Sequence, residues 1–351
     1  MANLSKTIGN AYEDVQLPTT RVVQVVMTNR VNRLSFSDLV SSLRQVGIEA
    51  GDVIHVQSSL PNIGPIEFGD RPSEIIDFYL SAFDAVLGSS GTLLVHTPYE
   101  DYGRYSTPFD VQQSPSRAGV LSEAVRMSNG AVRSMHPIVS TAGIGKSARE
   151  ICDGPHYEGF GYQSSWGRMH RSDVLFVTLG LDLRSGLSFA HYIESLYGVP
   201  YQYCKVYSTP VLSRGKTVKG TFSLRVRYLD FSIAYDLRRF QEAIQFRGLS
   251  RAASCGRSVV QSVRASTAFD VGLSFLESDV YGFLAHPPKF RVGVIPFDGP
   301  TGTPGYIFDS ADGFIPDRDS DIPSQPPNAN FESLVRQSQR HQNAKDGTLS
   351  A

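Results

Sequence analysis

Residues 53–97 read VIHVQSSLPNIGPIEFGDRPSEIIDFYLSAFDAVLGSSGTLLVHT, and they set the architecture. Val53 to Val56 is a short apolar strand that runs into Gln57-Ser58-Ser59-Leu60-Pro61. Pro72 falls in the first turn of a helix, where its missing N–H costs nothing. Ile75, Ile76, Tyr79, Leu80, Phe83 and Leu87 then share one apolar face. Gly88 to Gly91 makes a turn, and Thr92 to Thr97 (TLLVHT) is a second buried strand. Strand, helix, strand in this order predicts a parallel sheet covered by helices, with a right-handed crossover.

On the N-terminal side, Ser35 and Asp38 form a capping-box-like start, with Asp in place of Glu. Leu39, Val40, Leu43 and Val46 give that helix its apolar face, and Gly47 ends it. Residues 1–34 show no clean period and read as an arm. On the C-terminal side, residues 98–118 read as a long loop holding three tyrosines and Phe109, and Gly119 to Met127 as a helix. Val174 to Leu179 is another buried strand, and Phe189 to Tyr197 a helix that puts His191 and Glu194 on one face. Thr221 to Asp230 alternates as a half-exposed strand. Asp236 to Phe246 reads as a helix, Ser258 to Val263 as a strand and Asp270 to Leu284 as a helix. The expected division is an arm over 1–34, an α/β domain over 35–297 and a polar, loop-rich tail over 298–351.

Between these elements lies GAVRSMHPIVSTAGIG (130–145). Pro137 biases His136 towards extended backbone, and Gly143 and Gly145 are expected to turn the chain before the helix-like KSAREIC. His136 is therefore a candidate base, and the plain alternative is a packed histidine in a turn.

A formal net charge of -1 gives no global field for nucleic acid or an anionic membrane. The first thirty residues lack a continuous apolar core of the secretory type, and no apolar run reaches membrane-spanning length. Cys152, Cys204 and Cys255 are far apart and without metal-ligand spacing, which predicts reduced thiols, a cytoplasmic protein and no metal site.

Six stretches occur in an order that resembles the antibiotic N-acetyltransferase family, typified by aminoglycoside 3-N-acetyltransferases. They are LRQVGIEAGDVIHVQSSLPNIG (43–64), GTLLVHTPY (91–99), PFDVQQSPSRAGVLSEAVR (108–126), GAVRSMHPIVSTAGIG (130–145), EGFGYQSSWGRM (158–169) and HYIESLYGVPY (191–201). The resemblance implies a three-layer α/β/α sandwich with a divergent C-terminal half. It implies an acetyl-CoA-dependent N-acetyltransferase that acts on an amino group of an aminoglycoside-like or amino-sugar molecule. The family's RS-x-HP histidine falls on His136 as general base, and its downstream glutamate on Glu194. Its acetyl-CoA contacts fall on Ser58, Ser59, Leu60, Ser114, Ser116, Gly119 and Val120. Tyr99, Asp101, Asp110 and His191 are the expected acceptor contacts. Where the family usually carries histidine before the two serines, this chain has Gln57, which cannot titrate.

The chemistry suits those residue types. An ammonium cannot attack a thioester, so an imidazole titrating near neutrality is useful as the proton acceptor. A carboxylate on the other ring nitrogen would fix its tautomer. The expected assembly is a monomer or homodimer, with no nucleic acid or membrane partner. The rivals are a biosynthetic acyltransferase acting on a nucleotide-linked amino sugar, a hydrolase using Ser58 or Ser59, and a non-catalytic binding homologue.

Overall fold

The computed structural model describes residues 33–290 apart from 68, 70, 155, 229 and 230. The expected arm up to residue 32 and the expected tail from 298 lie outside the described residues.

The chain opens with α1 (Phe36–Gln45), capped by Ser35, whose Oγ accepts the Asp38 N–H at 3.1 Å as the sequence predicts. Then come β1 (Val53–Ser58), the short α2 (Leu60–Ile63), α3 (Pro72–Leu87) and β2 (Thr92–His96). The long segment after β2 is not wholly loop: it holds α4 (Asp101–Tyr105) and β3 (Phe109–Asp110) before α5 (Val120–Met127). The histidine stretch forms the hairpin of β4 (Val132–Arg133) and β5 (Thr141–Gly145). Next are α6 (Ala148–Cys152), α7 (Ser165–Arg171), β6 (Leu175–Leu179), α8 (Leu183–Gly186) and α9 (Phe189–Tyr197). The last part runs β7 (Gln202–Tyr207), β8 (Val211–Ser213), β9 (Lys216–Thr217), β10 (Phe222–Arg227), α10 (Arg238–Phe246), β11 (Arg251–Cys255), β12 (Ser258–Arg264) and α11 (Ala265–Ser278).

The main sheet has the order β11-β12-β6-β1-β2-β5-β4. Its centre, β6-β1-β2, is parallel as expected, whereas β12 and β5 join it antiparallel, so the sheet is mixed. Gly143 and Gly145 lie inside β5 rather than in a turn. They are needed for close approach, because a Cβ at Gly143 would strike the Leu94 side chain and one at Gly145 the Gly91 carbonyl. The last helix also differs from expectation. It starts at Ala265 and stops at Ser278, because the chain then folds back to bridge Leu284 to Tyr235.

Period-two alternation sorts the strands between two cores. Ile54, Val56, Leu93, Val95, Leu175 and Val177 face one core with α1, α3 and α5. Leu94 and Phe176 face the other, with Trp166, Phe189, Ile193 and Val271 from α7, α9 and α11. Helices thus cover both faces, which gives the three-layer α/β/α arrangement. The second face also carries His55, which packs against Trp166 and Phe176 at ring distances of 5.3 Å. No helix among the described residues is long and apolar enough to cross a membrane.

Candidate active site

In open α/β sheets the usable crevice lies beyond the carboxyl ends of the parallel strands. Here β1 ends in Gln57 and Ser58, β2 in His96, and α9 is tied to the β1 end through Ser188. That helix carries His191 and Glu194, three residues apart and therefore on one face. Glu194 is fully buried, and its Oε2 lies 2.9 Å from His191 Nδ1. Gly198, in the left-handed region at φ 80°, ends the helix and sends the chain back past Glu194. Tyr201 then donates its O–H to Glu194 Oε1 at 2.6 Å, and Gln202 donates Nε2–H to Oε2 at 3.1 Å. The Tyr235 ring meets the His191 ring edge-on at 4.8 Å.

The buried carboxylate thus has three donors around it, while the imidazole side chain is 39% exposed. Nδ1–H donation to Glu194 leaves the lone pair on Nε2, the atom a general base needs. Tyr201, Gln202 and Tyr235 are site residues that sequence reasoning missed. The HYIESLYGVPYQ stretch places two of them just past the helix end, yet nothing in its periodicity says that they fold back onto Glu194.

His136 sits elsewhere. It is buried, its Nδ1 accepts the Val139 N–H at 3.3 Å, and its Nε2–H donates to the Ser223 carbonyl at 3.0 Å. Burial pushes its pKa down to about 4, although the Ser223 contact pulls the other way. Both ring nitrogens are therefore committed to backbone. The expected His136–Glu194 pair is not formed, because Glu194 takes its imidazole partner from its own helix.

The neighbours of His136 brace the loop. Arg133 is buried, with its guanidinium over the Phe109 ring at 4.6 Å, and it donates to the Thr97 and Ser114 carbonyls. Ser134 Oγ accepts the Thr141 N–H at 2.9 Å. A cavity of about 410 Å³ opens beside Arg133, lined among others by Ala131, Arg149, Asp153 and Arg214, but not by His191 or Glu194.

The expected acetyl-CoA contacts leave the ends of adjacent strands. Ser58 closes β1, the Ser59 N–H donates to Leu179 O at 2.9 Å, and Leu60 is buried at the head of α2. The second segment is tied beside β2, where the Arg117 N–H donates to Pro98 O at 3.0 Å. Ser114 Oγ accepts the Asp110 N–H, and Ser116 Oγ accepts the Ala118 N–H. Gly119, at φ 110°, and the exposed Val120 open α5 without a side-chain cap.

The expected acceptor contacts are mostly engaged with the fold itself. Tyr99 is buried against Phe109, Asp101 pairs with Arg117 at 2.6 Å, and Asp110 Oδ1 accepts the Gln112 and Gln113 N–H groups. Of that set, His191 alone is joined to the carboxylate dyad. The buried thiols of Cys152 and Cys255 are pushed up, by burial, to about 12 and about 11. That keeps them protonated and unsuited to nucleophilic attack. Among the described residues there is no group of three His, Cys, Asp or Glu able to hold a metal ion.

The family model described as Aminoglycoside 3-N-acetyltransferase matches residues 55–277, more than half of the chain. The chain belongs to the aminoglycoside 3-N-acetyltransferase family.

Among curated relatives in that family, aminoglycoside N(3)-acetyltransferase IV of a Salmonella species is 28% identical over 261 residues, covering 72% of this chain and 91% of that one. Aminoglycoside N(3)-acetyltransferase VIII of Streptomyces fradiae is 29% identical over 207 residues, covering 52% and 68%. Among solved structures, the apoenzyme of AAC(3)-IVa superimposes with a TM-score of 0.59 at 24% identity, over 74% of this chain and 93% of that one. AAC-IIIb, solved as a binary complex with CoASH, gives 0.61 at 22%, over 73% and 100%. At such identities the structures establish the fold. The aminoglycoside 3-N-acetyltransferases are acyltransferases whose co-substrate is acetyl-CoA.

Proposed function

We propose that this chain transfers the acetyl group of acetyl-CoA to an amine of an aminoglycoside-like or amino-sugar acceptor, with His191 as general base and Glu194 as its orienting carboxylate. The observation that carries this reading is the 2.9 Å contact between His191 Nδ1 and the buried Glu194 carboxylate, itself held by Tyr201 and Gln202. His191 Nε2 takes a proton as the amine nitrogen bonds to the thioester carbonyl carbon. The tetrahedral oxyanion then collapses, the C–S bond breaks, and CoA leaves as the thiol with that proton. Glu194 stabilises the imidazolium in between. The Ser58–Leu60 turn and the Ser114–Val120 segment, at the ends of adjacent strands, are the proposed CoA contacts, and α5 offers uncapped N–H groups to its phosphates.

A second reading of the acceptor rests on Asp101 and Asp110. Their carboxylates are occupied by Arg117 and by backbone N–H groups, which leaves little acidic surface there for a polycation. That favours an amino sugar with few ammonium groups, such as a biosynthetic nucleotide-linked one.

The test is a panel of aminoglycosides and amino sugars with acetyl-CoA, followed by thiol release and by mass of the acetylated product. Removing a general base typically costs about 10² to 10⁴ in rate. His191→Gln is expected to lose activity on that scale while His136→Gln keeps most of it. Full turnover by the His191 variant would refute the assignment, and thiol release without an acetylated amine would point to a hydrolase.

A further inference from the structure

We propose that Gln57 is a positioning residue for the base: its amide clamps Ser188 and so fixes the start of α9, one turn before His191, to the end of β1. This inference rests on His191 being the base. Gln57 Oε1 accepts the Ser188 N–H at 3.0 Å, and Gln57 Nε2 donates to Ser188 Oγ at 2.8 Å. Because a backbone N–H can only donate, the amide orientation is settled, and both of its ends are spent on one residue.

Ser188 is where a helix usually caps itself through the hydroxyl. Here the backbone is already helical, at φ -59° and ψ -13°, and the hydroxyl caps nothing within α9. It turns to Gln57 instead, so the anchor of the helix start comes from the neighbouring strand. The link onward to the base is direct, since the His191 N–H donates to the Ser188 carbonyl at 3.1 Å. Behind the base, Tyr201 and Gln202 hold Glu194. The imidazole is thus steadied from both ends of α9.

Gln57 also runs straight into Ser58-Ser59-Leu60, the turn proposed to meet CoA. The clamp therefore registers the acyl donor against the base. Of the two groups that must meet within reacting distance, one rides on β1 and the other on α9. An amide in this place supplies one donor and one acceptor at any working pH, without a titrating group.

The experiment uses the purified full chain, acetyl-CoA and the acceptor that the amine panel identifies, and reads kcat and KM separately. Gln57→Leu removes both bonds at similar volume. A misplacement of about 1 Å can cost 10²-fold, so kcat is expected to fall about tenfold to hundredfold. The KM for acetyl-CoA is expected to stay within about threefold, the pattern of an interaction that matters in the transition state. Gln57→Glu is expected to restore most of the loss, because its carboxylate still accepts the Ser188 N–H and the hydroxyl can reverse to donate.

Ser188→Ala is expected to lower kcat by less than Gln57→Leu does, and the double variant to cost no more than Gln57→Leu alone. Unchanged kcat in Gln57→Leu, no recovery in Gln57→Glu, or strictly additive losses would each overturn the clamp. If Gln57→Leu does not fold, Ser188→Ala decides by itself: a severalfold fall in kcat supports the clamp and an unchanged kcat overturns it. His191→Gln is run alongside. Should it keep full turnover, the base assignment fails; should it be inactive while Gln57→Leu is fully active, the clamp alone fails.

Discussion

His136 and His191 carry the same side chain and differ in what their ring nitrogens touch. His136 spends both on backbone groups, one three residues on in its own loop, Val139, and one far along the chain, Ser223. His191 spends one on a buried carboxylate and keeps the other. The sequence offered a better local case for His136, since Pro137 constrains it and Arg133 and Ser134 precede it. Those neighbours turn out to serve the hairpin: Ser134 closes it and Arg133 ties it to the Thr97 and Ser114 carbonyls. The glutamate was legible as an i,i+3 neighbour of His191. The pairing was not, because it depends on a helix end that brings Tyr201 and Gln202 back onto the carboxylate. His136→Ala is expected to leave the buried Val139 N–H unpaired, while the Ser223 carbonyl keeps the Gly159 N–H, and to cost about 1 to 3 kcal/mol of stability. Urea denaturation of the variant, with kcat measured on the folded protein, separates that loss from catalysis: the midpoint drops while kcat stays within severalfold.

At the scale of elements, the strands buried on both faces were the readable ones. β1, β2 and β6 show as continuous apolar runs because helices cover both of their faces, and α3 and α9 begin where Pro72 and Phe189 indicated. The short strands β4, β8 and β9 left no such signal, since two or three residues carry no period, and the antiparallel addition of β12 and β5 is a matter of pairing that no run of residues shows. The packing of α9 on α11 was equally invisible, because it turns on the absence of a side chain at Gly272. A Cβ there would come within 2.8 Å of Ile193 Cδ1 and 3.3 Å of the Phe240 ring, both fully buried. Gly272→Ala gains about 1 kcal/mol of helix propensity, yet overpacking of a tight core costs about 1 to 3 kcal/mol. The expected balance is a lowered melting temperature. Ile193 lies between His191 and Glu194, so kcat is expected to fall as well. A variant more stable than the parent, with unchanged kcat, would show that the interface gives way freely.

At the scale of the molecule, one face of the sheet and the hairpin beside it hold His55, His96 and His136 as neutral imidazoles. Their pKa values are pushed down from the ordinary 6.5 to about 3, about 4 and about 4. Burial is the first cause in each case, joined for His55 by the nearby His96, and for His96 by the nearby His191 and Arg133, which disfavour a second positive charge beside them. In the unfolded chain each of the three takes a proton as the pH falls through 6.5, while the folded protein resists until about 4 or below. A depressed folded value therefore supplies stability that is fully present above 6.5 and is lost on acidification towards 4. With three such groups the loss approaches about 4 kcal/mol per pH unit midway through that window. Urea midpoints measured across a pH series are expected to be level above neutrality and to drop steeply below it. His55→Phe puts a ring of similar size between Trp166 and Phe176, and it is expected to remove about one proton from that slope, to which His156 and His170, also lowered by burial, add in the same direction. A parent whose midpoint holds steady down to about pH 5, or a His55→Phe slope equal to the parent's, would mean that these imidazoles are solvated in the folded protein.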